Sequence, residues 1–263
     1  MNDLIYKIRK EKPLIHHITN EVTTNDLANI TLYWGGLPVM ANYKEEVEEM
    51  VSMSQGLLLN IGILHPDQVE AMIRAGKKAN QLNIPVILDP VGVGATKLRT
   101  KTAKRILNEI HVSAIKGNQG EIVTLAGEEG NMKGVESIGE YRDIIPLSKK
   151  LALNYDTIVV ISGKEDIITD GKFVYKVFNG HPFMGNVVGT GCMLGSTLAC
   201  FLAVSSDPLK GAVYGVTSYC IAGEIAAKGV NGPASYKISF LDTIYNLDDK
   251  TVSLKEKIEQ VGS

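Results

Sequence analysis

Read from the N-terminus, the chain alternates short, almost wholly apolar runs with longer stretches in which apolar residues recur every three to four positions. The apolar runs fall at residues 56–61, 85–88, 112–115 and 157–161, and their length and bounding turn formers predict strands. Helical periodicity fills residues 67–81, 100–110 and 137–154, each interval long enough for a crossover helix between parallel strands. Residues 1–12 also carry apolar residues at helical spacing, mixed with charge. The pattern predicts an α/β protein, a central, mostly parallel sheet flanked by helices and joined by right-handed connections.

Two further features complete the plan. Thr169, Asp170, Gly171 and Lys172 separate the short runs 166–168 and 173–178, and Asp-Gly between two such runs predicts a hairpin, here an antiparallel edge on the parallel sheet. Beyond it the chain reads as mostly helical, over 191–205, 208–228, 233–246 and 252–261. No repeat, linker or low-complexity tract interrupts the 263 residues. They are read as one domain.

Composition narrows the function. With 44% hydrophobic and 21% charged residues the chain has material for a sizeable core. Its 27 basic and 29 acidic residues leave a formal charge of −2, too little to draw it onto nucleic acid or an anionic membrane. The longest nearly apolar stretch, 192–204, is shorter than the roughly 20 residues a spanning helix needs. With no apolar signal core near Met1, the expected location is cytoplasmic. Cys192, Cys200 and Cys220 lack disulfide or zinc spacing and are expected to be thiols.

Chemistry gathers at the strand exits. The strands run into Asn60-Ile61-Gly62, Asp89-Pro90-Val91-Gly92, Lys116-Gly117-Asn118 and Ser162-Gly163-Lys164. Glycine and polar residues end strands in any protein, but four such exits in register match the rule that ligands bind beyond the carboxyl ends of strands in open α/β sheets. A second feature is Gly189-Thr190-Gly191-Cys192, where a glycine turn opens directly into an apolar helix. Unpaired N–H groups and the positive end of the helix dipole make such a turn an anion cradle suited to phosphate, and a plain tight turn is the other reading. It is neither a Walker A loop nor a dinucleotide fingerprint.

Within that turn Cys192 is expected to have its thiolate favoured by the helix dipole, or else to be a small core side chain. Asp89 and Glu121 supply hard oxygens of the kind magnesium uses beside phosphates; each could instead serve a cap or a helix N-terminus. The five histidines show no metal-ligand spacing, and no Gly-x-Ser-x-Gly elbow occurs. Hydrolase chemistry is disfavoured.

Together these motifs resemble the hydroxyethylthiazole kinase family, within the ribokinase-like small-molecule kinases. The resemblance runs in order through Pro13-Leu14-Ile15-His16, Ile18-Thr19-Asn20, Gly36-Leu37-Pro38-Val39-Met40 and Asn60-Ile61-Gly62. It continues through Leu88-Asp89-Pro90-Val91-Gly92-Val93-Gly94-Ala95, Lys116-Gly117-Asn118 with Glu121, and Gly189-Thr190-Gly191-Cys192. It implies a ribokinase-like fold, ATP as co-substrate, Mg2+ and phosphorylation of 4-methyl-5-(2-hydroxyethyl)thiazole for thiamine salvage. It also implies a homotrimer with active sites at subunit boundaries.

By the same resemblance Asn20 and Met40 would contact the thiazole, with Gly189 beside its hydroxyethyl end, and Lys116 and Ser162 would contact ATP. Asp89 and Glu121 would organise magnesium and phosphate, while Gly189, Thr190, Gly191 and Cys192 form the anion hole. Cys192 stands where sugar-kinase relatives carry an aspartate base. Two positions depart from the family: Lys116 replaces a common arginine, turning a bidentate contact into a point charge, and Ile63 replaces a common threonine. Another small alcohol, a hydroxymethylpyrimidine or a sugar, is the alternative substrate; a catalytically quiet binding protein is the alternative class.

Overall fold

In the computed structural model, which describes residues 3–127, 132–133, 136–137 and 144–261, eleven strands and eleven α-helices are assigned. The apolar runs become β3 (Gly56–Asn60), β4 (Val86–Asp89), β5 (Ala114–Asn118) and β8 (Ile158–Ser162). Two strands outside those runs, β1 (Leu14–Ile18) and β2 (Leu37–Met40), join them in a parallel order β2-β1-β3-β4-β5-β8. β9 (Asp166–Thr169) and β10 (Val174–Val177) form the expected hairpin, and β9 is antiparallel to β8 as well.

The C-terminus differs from its predicted helix over 252–261. α11 spans Asp249–Lys255, and β11 (Ile258–Gln260) then adds antiparallel to β10, with Tyr175 opposite Gln260. Three residues have too little local signal to declare a strand; the exposed edge of β10 provides it. A separate two-stranded ribbon joins β6 (Met132–Lys133) to β7 (Glu136–Ser137), so Ser137 is not helical. The predicted helix over 137–154 is α7 (Ile144–Tyr155), and residues 138–143 lie outside the described set.

Strand side chains alternate between two helical layers, as a pleated sheet requires. Leu58, Ile87, Ala114 and Val160 face a core shared with α1 (Leu4–Glu11), α2 (Thr24–Trp34), α8 (Thr190–Val204), α9 (Pro208–Ala226) and α10 (Pro233–Asn246). Leu57, Leu59, Leu88 and Ile161 face the other core, with α3 (Val47–Ser52), α4 (Pro66–Gln81), α5 (Lys97–Glu109), α6 (Gln119–Leu125) and α7. The long helix α8 packs against β3 and β4, and side chains from α2 and α9 hold it on its other sides. Trp34 Nε1 donates to Thr197 Oγ1 at 2.9 Å while its ring meets Phe201 edge-on, and Tyr219 Oη donates to the Thr190 carbonyl at 2.6 Å. The beginning of α8 lies at the carboxyl end of β3, where Asn60 Nδ2 reaches Cys192 Sγ at 3.3 Å. Among the described residues no helix is long and apolar enough to cross a membrane.

Candidate active site

Asp89, Asn60 and Ser162 are the last residues of β4, β3 and β8, and Lys116 lies inside β5 two residues before its end. Parallel register places Asn60 opposite Asp89 and Asn118 opposite Ser162. The four exits thus stand side by side, as their spacing predicted. Asp89 is fully buried. Its Oδ1 lies 3.3 Å from Lys116 Nζ, its Oδ2 accepts from Asn60 Nδ2 at 2.8 Å, and the Cys192 thiol lies close enough to act on the same carboxylate.

Asn60 is the hinge of this arrangement. Its Nδ2 also donates to Cys192 Sγ at 3.3 Å, and its Oδ1 accepts from Asn20 Nδ2 at 2.8 Å and from the Gly62 N–H at 2.9 Å. The Gly62 bond fixes which end of the amide faces Asp89. Sequence reasoning placed Asn60 at an exit and gave it no role; an asparagine closing an apolar strand, beside another that closes with aspartate, was the available signal.

Glu121 sits in the first turn of α6, where Asn118 and Glu121 form a capping box: Asn118 Oδ1 accepts from the Glu121 N–H, and Glu121 Oε2 accepts from the Asn118 N–H at 2.8 Å. Its Oε1 accepts from the Gly92 N–H at 2.7 Å. The capping role and the site role are therefore compatible.

Burial pushes the Glu121 carboxyl up to about 7; the Lys116 charge opposes this and the Asp89 charge adds to it. Burial also raises the Asp89 carboxyl above its ordinary range, against the pull of Lys116, Asn60 and Cys192. Burial works against the Lys116 ammonium too, but the charges of Asp89 and then Glu121 lift it above its usual value, so it stays charged.

Cys192 overturns the thiolate expectation. Burial and the neighbouring Asp89 charge raise its thiol, outweighing Lys116, Asn60 and Thr23. The helix N-terminus does not prevail over burial and a neighbouring carboxylate. Gly189 adopts φ of +96°, a left-handed conformation that glycine takes without strain, and a side chain there would press on Asp26 and Thr23 at 3.2 Å. The Met193 N–H closes the helical ladder onto the Gly189 carbonyl at 2.7 Å, so the N–H groups of Gly191 and Cys192 precede that ladder. Thr190 Oγ1 donates to the Met184 carbonyl at 2.7 Å and anchors the turn. A Cβ on Gly191 would lie 3.4 Å from Lys116 Nζ, which puts the turn beside the ammonium.

Of the remaining expected residues, Asn20 touches this centre. Asn20 is buried and, besides Asn60, approaches Cys192 Sγ at 3.8 Å and accepts from the Thr23 N–H. Met40 ends the edge strand β2, half-buried against the α8 core. Ser162 Oγ reaches the Gly117 carbonyl at 3.4 Å. Ile63 lies beyond the Gly62 exit and has no polar group to add. Among the described residues no three His, Cys, Asp or Glu side chains gather to hold a metal. Two mutually repelling buried carboxylates beside an anion cradle do suit Mg2+, which takes few protein ligands and fills its shell with phosphate oxygens and water.

The hydroxyethylthiazole kinase family profile matches residues 5–250. A hydroxyethylthiazole kinase of Thermoanaerobacter sp. (strain X514) is 53% identical over 259 residues, covering 98% of each chain. The solved hydroxyethylthiazole kinase from Pyrococcus horikoshii OT3 superposes with a TM-score of 0.91 at 35% identity, over 99% of this chain and 98% of that one. Pyridoxal kinase from Staphylococcus aureus in complex with pyridoxal, at 14% identity and a TM-score of 0.63 over 95% and 98% of the two chains, shares the ribokinase-like fold. Full-length identity, the conserved architecture and the strand-end site agree that this chain belongs to the hydroxyethylthiazole kinase family.

Proposed function

We propose that the protein transfers the terminal phosphoryl group of ATP to the primary alcohol of 4-methyl-5-(2-hydroxyethyl)thiazole, using the buried Asp89, Lys116, Asn60 and Cys192 cluster beside the Gly189 turn. The observation that carries this reading is the convergence of a charged lysine, a carboxylate and a free helix N-terminus on one point, where transferred charge would be stabilised. Asn20 and Met40 would line the thiazole end, and Gly189 would leave room for the hydroxyethyl arm. Lys116 and Ser162 would meet the nucleotide. The N–H groups of Gly191 and Cys192, with the Lys116 ammonium, would hold the negative charge on the phosphoryl oxygens.

Asp89 and Glu121 would hold Mg2+, which would neutralise phosphate charge when bound. In a loose phosphoryl-transfer transition state the alcohol proton leaves late, so positioning and charge stabilisation outweigh a strong base. Cys192, a thiol on the grounds given above, would position the alcohol rather than deprotonate it.

A homotrimer with sites at its subunit boundaries fits the edge position of β2, whose last residue is Met40, and the exposed Val22 and Val188, chain neighbours of Thr23 and Gly189. Cytosolic location fits the three free cysteines.

The test is to incubate the protein with ATP, Mg2+ and, separately, hydroxyethylthiazole, hydroxymethylpyrimidine and ribose, and to follow alcohol phosphorylation. The thiazole alcohol is the expected product-former. Phosphate on ribose alone, or binding without product, contradicts the proposal. Light scattering across a dilution series checks the trimer.

A further inference from the structure

Arg99, in the first turn of α5, makes three hydrogen bonds to main-chain carbonyls. Nη1 donates to Ile61 at 2.8 Å and to Val91 at 2.7 Å, and Nη2 donates to Gly62 at 2.8 Å. One fork thus spans the exits of two neighbouring strands, β3 and β4. The left-handed Gly92 (φ +78°) makes room for it, since a Cβ there would fall 2.9 Å from Arg99 Cδ.

Two of these carbonyls belong to peptide units whose other ends serve the site. The Ile61 carbonyl shares its peptide with the Gly62 N–H, which donates to Asn60 Oδ1. The Val91 carbonyl shares its peptide with the Gly92 N–H, which donates to Glu121 Oε1. In a planar trans peptide the carbonyl and the N–H point in opposite directions, so aiming one at Arg99 aims the other at the site. A charged donor on the carbonyl also polarises the N–H beyond it. The guanidinium therefore acts on Asn60 and Glu121 through one peptide group each.

We propose that Arg99 is a positioning residue for phosphoryl transfer, orienting the Asn60 amide and the Glu121 carboxylate through the Ile61–Gly62 and Val91–Gly92 peptides. This rests on the site reading of the preceding subsection. A lysine at 99 keeps the charge but lacks the planar fork, and cannot reproduce three carbonyl contacts in one plane. The role goes beyond tying two loops together, because it sets the direction of two N–H donors aimed at side chains in the site.

The test compares wild type with Arg99→Lys, Arg99→Ala and the exposed control Lys97→Ala, measuring Tm, kcat, the KM for the thiazole alcohol, and recovery in millimolar guanidinium chloride. In Arg99→Lys, kcat should fall by about tenfold or more with the alcohol KM within about twofold, the signature of lost transition-state interaction. Guanidinium, but not equal potassium chloride, should restore kcat in Arg99→Ala. If Arg99→Ala does not fold, Arg99→Lys decides the matter. A folded Arg99→Lys with kcat within about twofold of wild type overturns the proposal. So does a loss that tracks a fall in Tm and is untouched by guanidinium. Asp89→Asn is run in parallel: if it turns over normally, the site reading itself has failed, whereas an inactive Asp89→Asn beside an active Arg99→Lys refutes only the role of Arg99.

Discussion

Two aspartates, one in the parallel half of the sheet and one in its antiparallel edge, are both buried and both close to a cysteine. Asp89 ends β4 in contact with Lys116 and Asn60 and close to Cys192; Asp166 begins β9 and accepts from Cys220 Sγ at 3.0 Å and from the Gly163 N–H at 2.9 Å. Burial raises both carboxyls, Asp166 to about 6. The difference lies in what surrounds them. Asp89 shares its space with an ammonium in contact, a second carboxylate and the open start of α8, whereas Asp166 braces the turn after β8 and has no cation in contact among the described residues. A displaced carboxyl marks burial; a site needs the opposing charge and the convergent donors as well.

The comparison breaks most visibly at Asp89. Asp89→Asn should lower kcat roughly a thousandfold or more, since it removes both the oxygen proposed to hold Mg2+ and the partner that keeps Lys116 placed. A steady-state assay checks this, and a mild effect would put the two aspartates in one class.

Glu121 sharpens the contrast through pH. Its raised carboxyl, at about 7, is protonated below that value, so turnover at limiting magnesium should fall as pH drops through 7. Glu121→Gln should be slow and should lose that acidic limb. Cys192→Ala should keep turnover within about tenfold, whereas loss of a true general base costs ~10²–10⁴.

Asp166→Asn should leave kcat near wild type and act on stability instead. The native carboxyl, raised from 3.8 to about 6, favours the fold when protonated; that advantage is complete below 3.8 and gone above about 6. The neutral isostere should therefore raise Tm at pH 7, by up to roughly 3 kcal/mol in stability, and bring no gain below pH 4. Thermal melts at the two pH values give the answer.

The same contrast explains what could be read from the sequence. β3, β4 and β8 are continuous apolar runs buried on both faces, and α10 starts at Pro233 and ends at Asn246 where periodicity placed it. β1 was silent because Leu14–Ile18 contains His16 and His17, which are buried, and burial depresses the His17 imidazole to about 4, keeping it neutral. β11 exists only because β10 offers an edge. Asp89, Glu121, Lys116 and Cys192 were legible as polar residues at strand exits and a glycine turn. The charge state of Cys192 was not, because it depends on Asp89, some hundred positions earlier in the chain. Arg99 left no mark, since it works through carbonyls that every residue carries.

Cys192 gives the most direct measurement, because it is the partly exposed cysteine while Cys200 and Cys220 are buried. Iodoacetamide labelling of the wild-type protein, with the modified residue located by mass spectrometry, should reach Cys192 slowly. It should be suppressed by hydroxyethylthiazole together with ATP and Mg2+, and the alkylated protein should be inactive. Labelling of Cys192 at an unchanged rate under saturating ligands, or full turnover after its alkylation, would contradict a site built at the strand ends and the start of α8.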